Sequence, residues 1–270
     1  MNAPATPVVL GTSGFSFDDW VGPFYPAGTR KTDMLAHYAE RFTAVEVNST
    51  YYGIPPPRTM EQLDRKTPPG FEFVVKAHRT MTHEKAPPPP ADFRAFHECL
   101  EPLKAAGKFR GTLLQFPWAF RPTLAARKRL ELLHGELAED GPLFVEFRHA
   151  SWLRDEVFAF LMERGIGYCS VDEPELPGLV PAEARVTGET AYVRLHGRNK
   201  ETWWGRGGGD RYDYDYSREE LKEWVRKIRE LAERSSKVYV FFNNCHAGQA
   251  ARNALLMRDM LQQDLTAVVR

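Results

Sequence analysis

Eight short apolar runs, rich in β-branched residues, recur along the chain with starts 24 to 47 residues apart: 8–14, 44–50, 72–78, 111–117, 143–149, 167–173, 191–197 and 238–244. Runs of this length and content read as strands. Most intervals carry a helical pattern. Met34, Leu35, Tyr38 and Phe42 share one face of 32–42, and Phe93, Phe96, Leu100 and Leu103 repeat at helical spacing in 92–106. Segments 124–137, 156–163 and 248–260 behave likewise. Ser217 and Glu220 form a capping box ahead of Leu221, Trp224, Ile228 and Leu231. Two intervals are weak: 59–66 is short, and 174–190 holds three prolines.

Strands alternating with helices, with no long linker, predict an α/β chain folded as a single (β/α)8 TIM-type barrel. Its helices are expected to be short or missing after strands two and six. The domain is expected to cover 8–270, behind a short disordered lead at 1–7. An open doubly wound sheet is the competing architecture. A glycine-rich dinucleotide turn is expected after its first strand, and Gly11-Thr12-Ser13-Gly14-Phe15-Ser16 lacks the third glycine. Four consecutive prolines at 87–90 predict a rigid exposed connection.

A chain of 270 residues buries enough surface to fold without disulfides. Cys99, Cys169 and Cys245 form neither a disulfide framework nor a metal pair, which fits a reducing cytoplasm. No basic residue precedes Arg30, as a secretory signal would require, and no apolar run is long enough to cross a bilayer. Thirty-six basic against 36 acidic residues leave no excess charge for a nucleic acid or a membrane surface.

Side chains alternate along a strand, so residues two apart share a face. With Val45 and Val47 toward the helices, Glu46 and Asn48 point into the barrel. The same reasoning turns inward Val74, Lys76 and His78; Leu113 and Gln115; and Phe144, Glu146 and Arg148. It also turns inward Ser170 and Asp172; Tyr192, Arg194 and His196; and Phe241 and Asn243. The polar members lie late in each strand. This predicts a packed floor beneath a polar mouth at the C-terminal end, where barrels of this type carry their chemistry. Glu46, Lys76, Glu146, Asp172, Arg194 and His196 should converge there.

Glu46, Glu146, Lys76 and Asp172 are the candidate catalytic residues. Two carboxylates in different surroundings can split into an acid and a base, as in glycosidases. Equally, Glu46 can pair with Lys76, and Glu146 with Arg148 or Arg194. Lys76 could form a Schiff base if its pKa were depressed. Neighbouring acids would raise it, favouring an electrostatic role. Asp172 would orient a cation. The candidate substrate-binding residues are Asn48, Tyr51, Gln115, Arg148, His149, Arg194, His196, Asn243, Asn244, Trp203 and Trp204.

Arg194, His196, Asn243 and Asn244 suit an anion, with help from amide groups near Gly248 where the last helix starts. The asparagines can equally satisfy loop backbone. Glu46, Glu146, Asp172 and His196 are metal-ligand types, but no ligand-spacing motif joins them and three cations oppose a metal, so no cofactor is expected, with a divalent metal as the lesser alternative. Cys245 and His246 are adjacent, which does not by itself make a nucleophile. The loop at 197–217 holds Trp203, Trp204, Tyr212, Tyr214 and Tyr216 among glycines that include Gly205 and Gly207–Gly209. It reads as a lid over a small substrate or as an aromatic plug.

These residues predict an enzyme acting on a small polar or anionic molecule by acid–base chemistry, with hydrolysis favoured over isomerisation or lyase chemistry. The alternative is a non-enzymatic module that binds nucleic acid or protein through loop 197–217. Oligomeric state is left open. Because a partly wet mouth screens its ion pairs, Glu46→Gln and Glu146→Gln are each expected to lose no more than about 1 kcal/mol.

Several segments together resemble the YecE-like family, domain of unknown function 72. They are Gly11-Thr12-Ser13-Gly14-Phe15, Val45-Glu46-Val47-Asn48-Ser49-Thr50-Tyr51-Tyr52, Val75-Lys76-Ala77, Phe147-Arg148-His149 with Ser151-Trp152, Tyr192-Val193-Arg194-Leu195-His196-Gly197 and Phe241-Phe242-Asn243-Asn244. The resemblance runs from about Val8 to Asp259, with Phe15 where many members carry Trp. It implies a TIM-related barrel and no particular reaction.

Overall fold

The computed structural model describes residues 6–205 and 210–267. All eight expected strands are present: β1 (Val8–Thr12), β2 (Ala44–Val47), β3 (Glu72–Lys76), β4 (Phe109–Gln115), β5 (Leu143–Glu146), β6 (Gly167–Asp172), β7 (Thr190–Leu195) and β8 (Lys237–Phe242). Every pairing is parallel, in the order β1-β8-β7-β6-β5-β4-β3-β2. The ends meet where Ser13 bridges Glu46, so the sheet forms a nearly closed barrel. Gly11 allows this approach, because a Cβ there would lie 2.4 Å from the Ala44 carbonyl oxygen.

The helices are α1 (Met34–Ala39), α2 (Pro57–Arg65), α3 (Arg79–Thr82), α4 (Pro90–Ala105), α5 (Leu124–Leu137), α6 (Asp155–Glu163), α7 (Arg218–Ala232) and α8 (Gln249–Ala267). As the sequence suggests, α2 is short and no helix lies between β6 and β7. The Ser217 capping box starts α7, and the Thr123 hydroxyl caps α5 through the Ala126 amide. Among the described residues, no helix is long and apolar enough to cross a membrane. Of the expected lead, residues 1–5 lie outside the described residues. Thr6 and Pro7 are tied to the barrel floor through the Ser235 carbonyl and the Val238 amide.

Two apolar layers set the strand faces. Val45, Val47, Val75, Val145, Val193, Val240 and Phe242 pack outward against helix residues such as Leu35, Leu100, Leu133 and Trp224. Ala44, Val74, Leu113, Phe144, Cys169, Val171, Tyr192, Tyr239 and Phe241 fill the barrel interior. The expected alternation holds on β2, β3, β4, β5, β7 and β8. On β6 the phase is the opposite of the expected one: Cys169 and Val171 point inward, and Ser170 and Asp172 outward. Ser170 accepts the Arg185 amide, and Asp172 turns toward α7. Choosing the more polar set as the inward one misled here. A buried Cys behaves as a small hydrophobe, and Asp172 has its cation on the outside.

Candidate active site at the barrel mouth

The floor of the mouth is a lattice of buried charges. The Arg194 guanidinium donates to Glu46 Oε1 at 2.7 Å and to Glu146 Oε2 at 2.6 Å, while the Tyr192 hydroxyl donates to Glu46 Oε2 at 2.7 Å. Arg148 donates to Glu146 and, at 3.0 Å, to Glu173 Oε2. Both Glu46 and Glu146 are wholly buried, with 0% exposure. Burial works against the Glu146 charge, but Arg148 and Arg194 outweigh it and hold the carboxyl well below its ordinary range. The partly wet surroundings expected for these two carboxylates are absent. Their partners are the arginines, and the expected Glu46–Lys76 pair does not form.

His196 completes the lattice. Its Nε2 lies 3.3 Å from Glu146 Oε1, and Nδ1 accepts from Asn243 at 3.0 Å. Burial and then Arg148 push the imidazole down to about 3, so it stays neutral. With amide and guanidinium N–H groups facing Nδ1, the ring proton belongs on Nε2. Glu173, the residue just past β6, continues the inward side set by Val171 and is the carboxylate missed when the opposite set was taken as inward. It accepts from Arg148 and from the Val180 amide, and burial pushes it up to about 7 against the pull of Arg148.

Above this lattice opens a throat of about 110 Å³, lined by Asn48, Tyr51, Tyr52, Lys76, Gln115, Arg148, Arg194, Tyr212 and Asn243. It widens into a chamber of about 350 Å³ toward His83, Trp118, Trp203, Trp204 and Arg211. Among the described residues neither lining contains a carboxylate. Lys76 Nζ donates to Gln115 Oε1 at 2.8 Å and lies 4.3 Å from the Tyr51 ring centre. Among the described residues no acid lies within ion-pair distance of it. Burial first, then Arg194, push the ammonium down to about 7 against the pull of Glu146 and Glu46. The raised pKa expected for Lys76 is thereby reversed, because the acids that would raise it are already held by arginines.

The aromatic walls are more exposed than the floor: Tyr52 is 79%, Trp204 53% and Trp118 37% exposed. Trp118 meets Trp204 edge-on at 5.5 Å. Tyr212 lines both the throat and the chamber. From the rest of the 197–217 loop, Arg206 and Gly207–Gly209 lie outside the described residues. His83 and Trp118 stand beyond the strand runs and outside the 197–217 loop, and Arg211 lies in that loop among charges that sum to zero, so none of the three stood out in the sequence. Burial, followed by Lys76 and Arg148, pushes His83 down to about 4.

Other candidates sit apart from the throat. Asp172, read as catalytic, accepts from Arg198 Nε at 2.9 Å and from the Tyr216 hydroxyl at 2.6 Å. It anchors the base of the loop after β7 and does not join the converging set. Asn244 donates to the Tyr214 carbonyl and to Asn253 Oδ1, both at 2.8 Å, which is the backbone-satisfying role. His149 is half-buried at the rim, where it bonds the Ser151 hydroxyl at 2.7 Å and meets Trp118 edge-on. The Ala247 amide, just ahead of α8, is taken by Asp19 Oδ2 at 2.6 Å, so the anion site expected there is filled by the chain itself. Among the described residues no group of three His, Cys, Asp or Glu side chains is arranged to hold a metal ion. Of the four ligand types considered, Asp172 faces away, and Arg194 already holds Glu46 and Glu146.

Comparison with known proteins gives relatives along nearly the whole chain. The UPF0759 protein YunF of Bacillus subtilis is 32% identical over 273 aligned residues, covering 94% of each chain. The crystal structure of a DUF72 family protein from Thermotoga maritima superposes with a TM-score of 0.86 at 43% identity, covering 95% of this chain and 99% of that one. A DUF72 family protein from Enterococcus faecalis superposes with a TM-score of 0.84 at 27% identity, covering 94% of this chain and 95% of that one. The family described as protein of unknown function DUF72 matches residues 9–270, and this barrel belongs to that family.

Proposed function

We propose that the mouth is the active site of an enzyme acting on a small anionic substrate by acid–base chemistry, with Lys76 as the group that exchanges the proton. One observation carries this reading. In a chain of zero net charge, the throat and chamber are lined by Lys76, Arg148, Arg194 and Arg211, with no carboxylate among the described lining residues. Negative charge brought by a ligand would complement that lining. Arg148 and Arg194 are already fixed by buried glutamates, so they would meet a developing charge without reorganising. Asn48, Gln115 and Asn243 would supply hydrogen bonds, and the rim aromatics would cover the apolar faces of the substrate. An amine titrating near neutral pH is matched to proton transfer.

Glu46 and Glu146 act here as positioning residues, since both are occupied by arginine and lie below the throat. The test follows small phosphate esters, oxo acids and sugar acids by NMR in the presence of wild type and Lys76→Gln. The reading expects at least one compound to be consumed by wild type and spared by the variant. If none is consumed, and neither inorganic phosphate nor a carboxylate binds wild type, the reading is overturned.

A further inference from the structure

We propose that Lys76 condenses with the carbonyl group of a small oxo acid, so that the enzyme holds its substrate as an imine on this residue. The inference rests on the reading of the mouth as an anion-binding active site and names the substrate class for it.

Three other lysines that are at least partly buried are held by acids, while Lys227 donates to the Ala182 carbonyl at 2.6 Å. Lys104 meets Asp140 at 2.7 Å, Lys108 meets Asp64 at 2.7 Å, and Lys237 meets Glu72 at 2.6 Å. Lys76 instead faces a neutral amide. The orientation of Gln115 is fixed because its Nε2 donates to the Phe116 carbonyl at 2.8 Å, which leaves Oε1 for the lysine. The nitrogen therefore sits at a set place in the throat, and among the described residues no carboxylate is within ion-pair distance to lock it in the ammonium form.

Two guanidinium groups, Arg148 and Arg194, line the same throat of about 110 Å³. They act in two ways. Their charge disfavours a third cation beside them, consistent with the downward shift at Lys76. They also offer N–H groups for a carboxylate, which would set the adjacent carbonyl carbon of an oxo acid against the lysine nitrogen. An amine becomes nucleophilic only after losing its proton, and a desolvated lysine beside another cation is the arrangement that achieves this near neutral pH.

The step balances without an oxidant or a second reactant. The nitrogen lone pair attacks the carbonyl carbon, and the C=O π pair moves to oxygen. One N–H proton passes to that oxygen to give a carbinolamine. Expulsion of the hydroxyl with a proton as water leaves the C=N bond. Hydrolysis by the reverse route releases the carbonyl compound and the free amine.

Trapping tests this directly. The full chain is incubated at pH 7.5 with glyoxylate or pyruvate and cyanoborohydride, and its peptides are mapped by mass spectrometry. The expected result is a carboxymethyl or carboxyethyl group on Lys76 at least about tenfold above that on the exposed Lys31 and Lys66. Acetone, which lacks the anion, should give no such preference. Lys76→Arg keeps the charge but cannot form the imine, and should still bind pyruvate in calorimetry. If pyruvate binds wild type but Lys76 is labelled no more than the exposed lysines, the imine is overturned while the anion site stands. If wild type binds neither pyruvate nor inorganic phosphate, both readings fall.

Discussion

Arg194 reaches across the barrel to Glu46: its NH2 lies 2.7 Å from Glu46 Oε1, although β8 and β1 separate β7 from β2 in the sheet. The same guanidinium holds Glu146 on β5 at 2.6 Å. One buried cation thus ties three strands across the lumen and fixes the floor on which any ligand must sit. Two arginines take Glu46, Glu146 and Glu173 between them, and among the described residues none of these carboxylates is within ion-pair distance of Lys76.

This relationship reverses the stability expected for the glutamates. Both carboxylates are wholly buried, and neutralising one takes a charged acceptor from the buried arginines: Arg194 keeps one of its two glutamates, and loss of Glu146 also leaves Arg148 with Glu173 alone. Glu146→Gln and Glu46→Gln should each lose about 3–5 kcal/mol, not the small amount expected of a wet mouth. Urea denaturation at neutral pH measures this. A loss below about 1 kcal/mol in both would return them to the role of screened, dispensable charges.

Lys76 makes stability depend on pH in a defined direction. Its amine is held down to about 7 in the fold, against an ordinary 10.5. Between these values the unfolded chain binds more protons than the native one, so stability rises with pH across that window. Relative to Lys76→Met, wild type should lose stability as pH falls from about 10 to 7 and level off below it. Chemical denaturation of both proteins at several pH values reads the difference, and a flat difference would mean that the lysine titrates normally.

Asp172 should prove structural. It holds Arg198 and the Tyr216 hydroxyl on the outer side of β6. Asp172→Asn removes the charge from these bonds and should cost about 1.5–3 kcal/mol. Binding of phosphate or pyruvate, titrated by calorimetry below the melting range, should stay within about twofold of wild type. A large loss of binding at unchanged stability would put Asp172 back among the ligand-contacting residues.

Trp204 separates the rim from the floor. About half of it is exposed, and its ring meets Trp118 edge-on. Trp204→Ala should change stability by no more than about 0.5 kcal/mol. A ligand with a planar or sugar face should bind the variant more weakly, whereas inorganic phosphate should bind it as it binds wild type. Equal affinity for both ligands would leave the rim without a part in recognition.

The strands were readable from local pattern because each hides one outward apolar face, and Val45, Val47, Val193 and Val240 mark that face plainly. Placement of Glu46, Lys76, Gln115, Glu146, Arg148, Arg194, His196 and Asn243 followed from alternation alone. On β6 the alternation itself was intact, but polarity did not say which half faced the lumen. Cys169 suits either side, and the cation that draws Asp172 outward is Arg198, 26 positions along the chain. The miss carried Glu173 with it, since that residue belongs to the same face as Val171.

The sequence by itself determined the eight-stranded barrel and the composition of its mouth, because strand period and helix period are properties of neighbouring residues. It did not determine who pairs with whom there. Arg194 could have served one glutamate or two, and Lys76 could have stood beside Glu46. Those outcomes depend on the stagger of strands around a closing sheet, which sets the distances across the lumen. Since burial and charge separation together decide the protonation state of each group, only the tertiary structure shows that the glutamates are held by arginines and that, among the described residues, no acid pairs with the lysine.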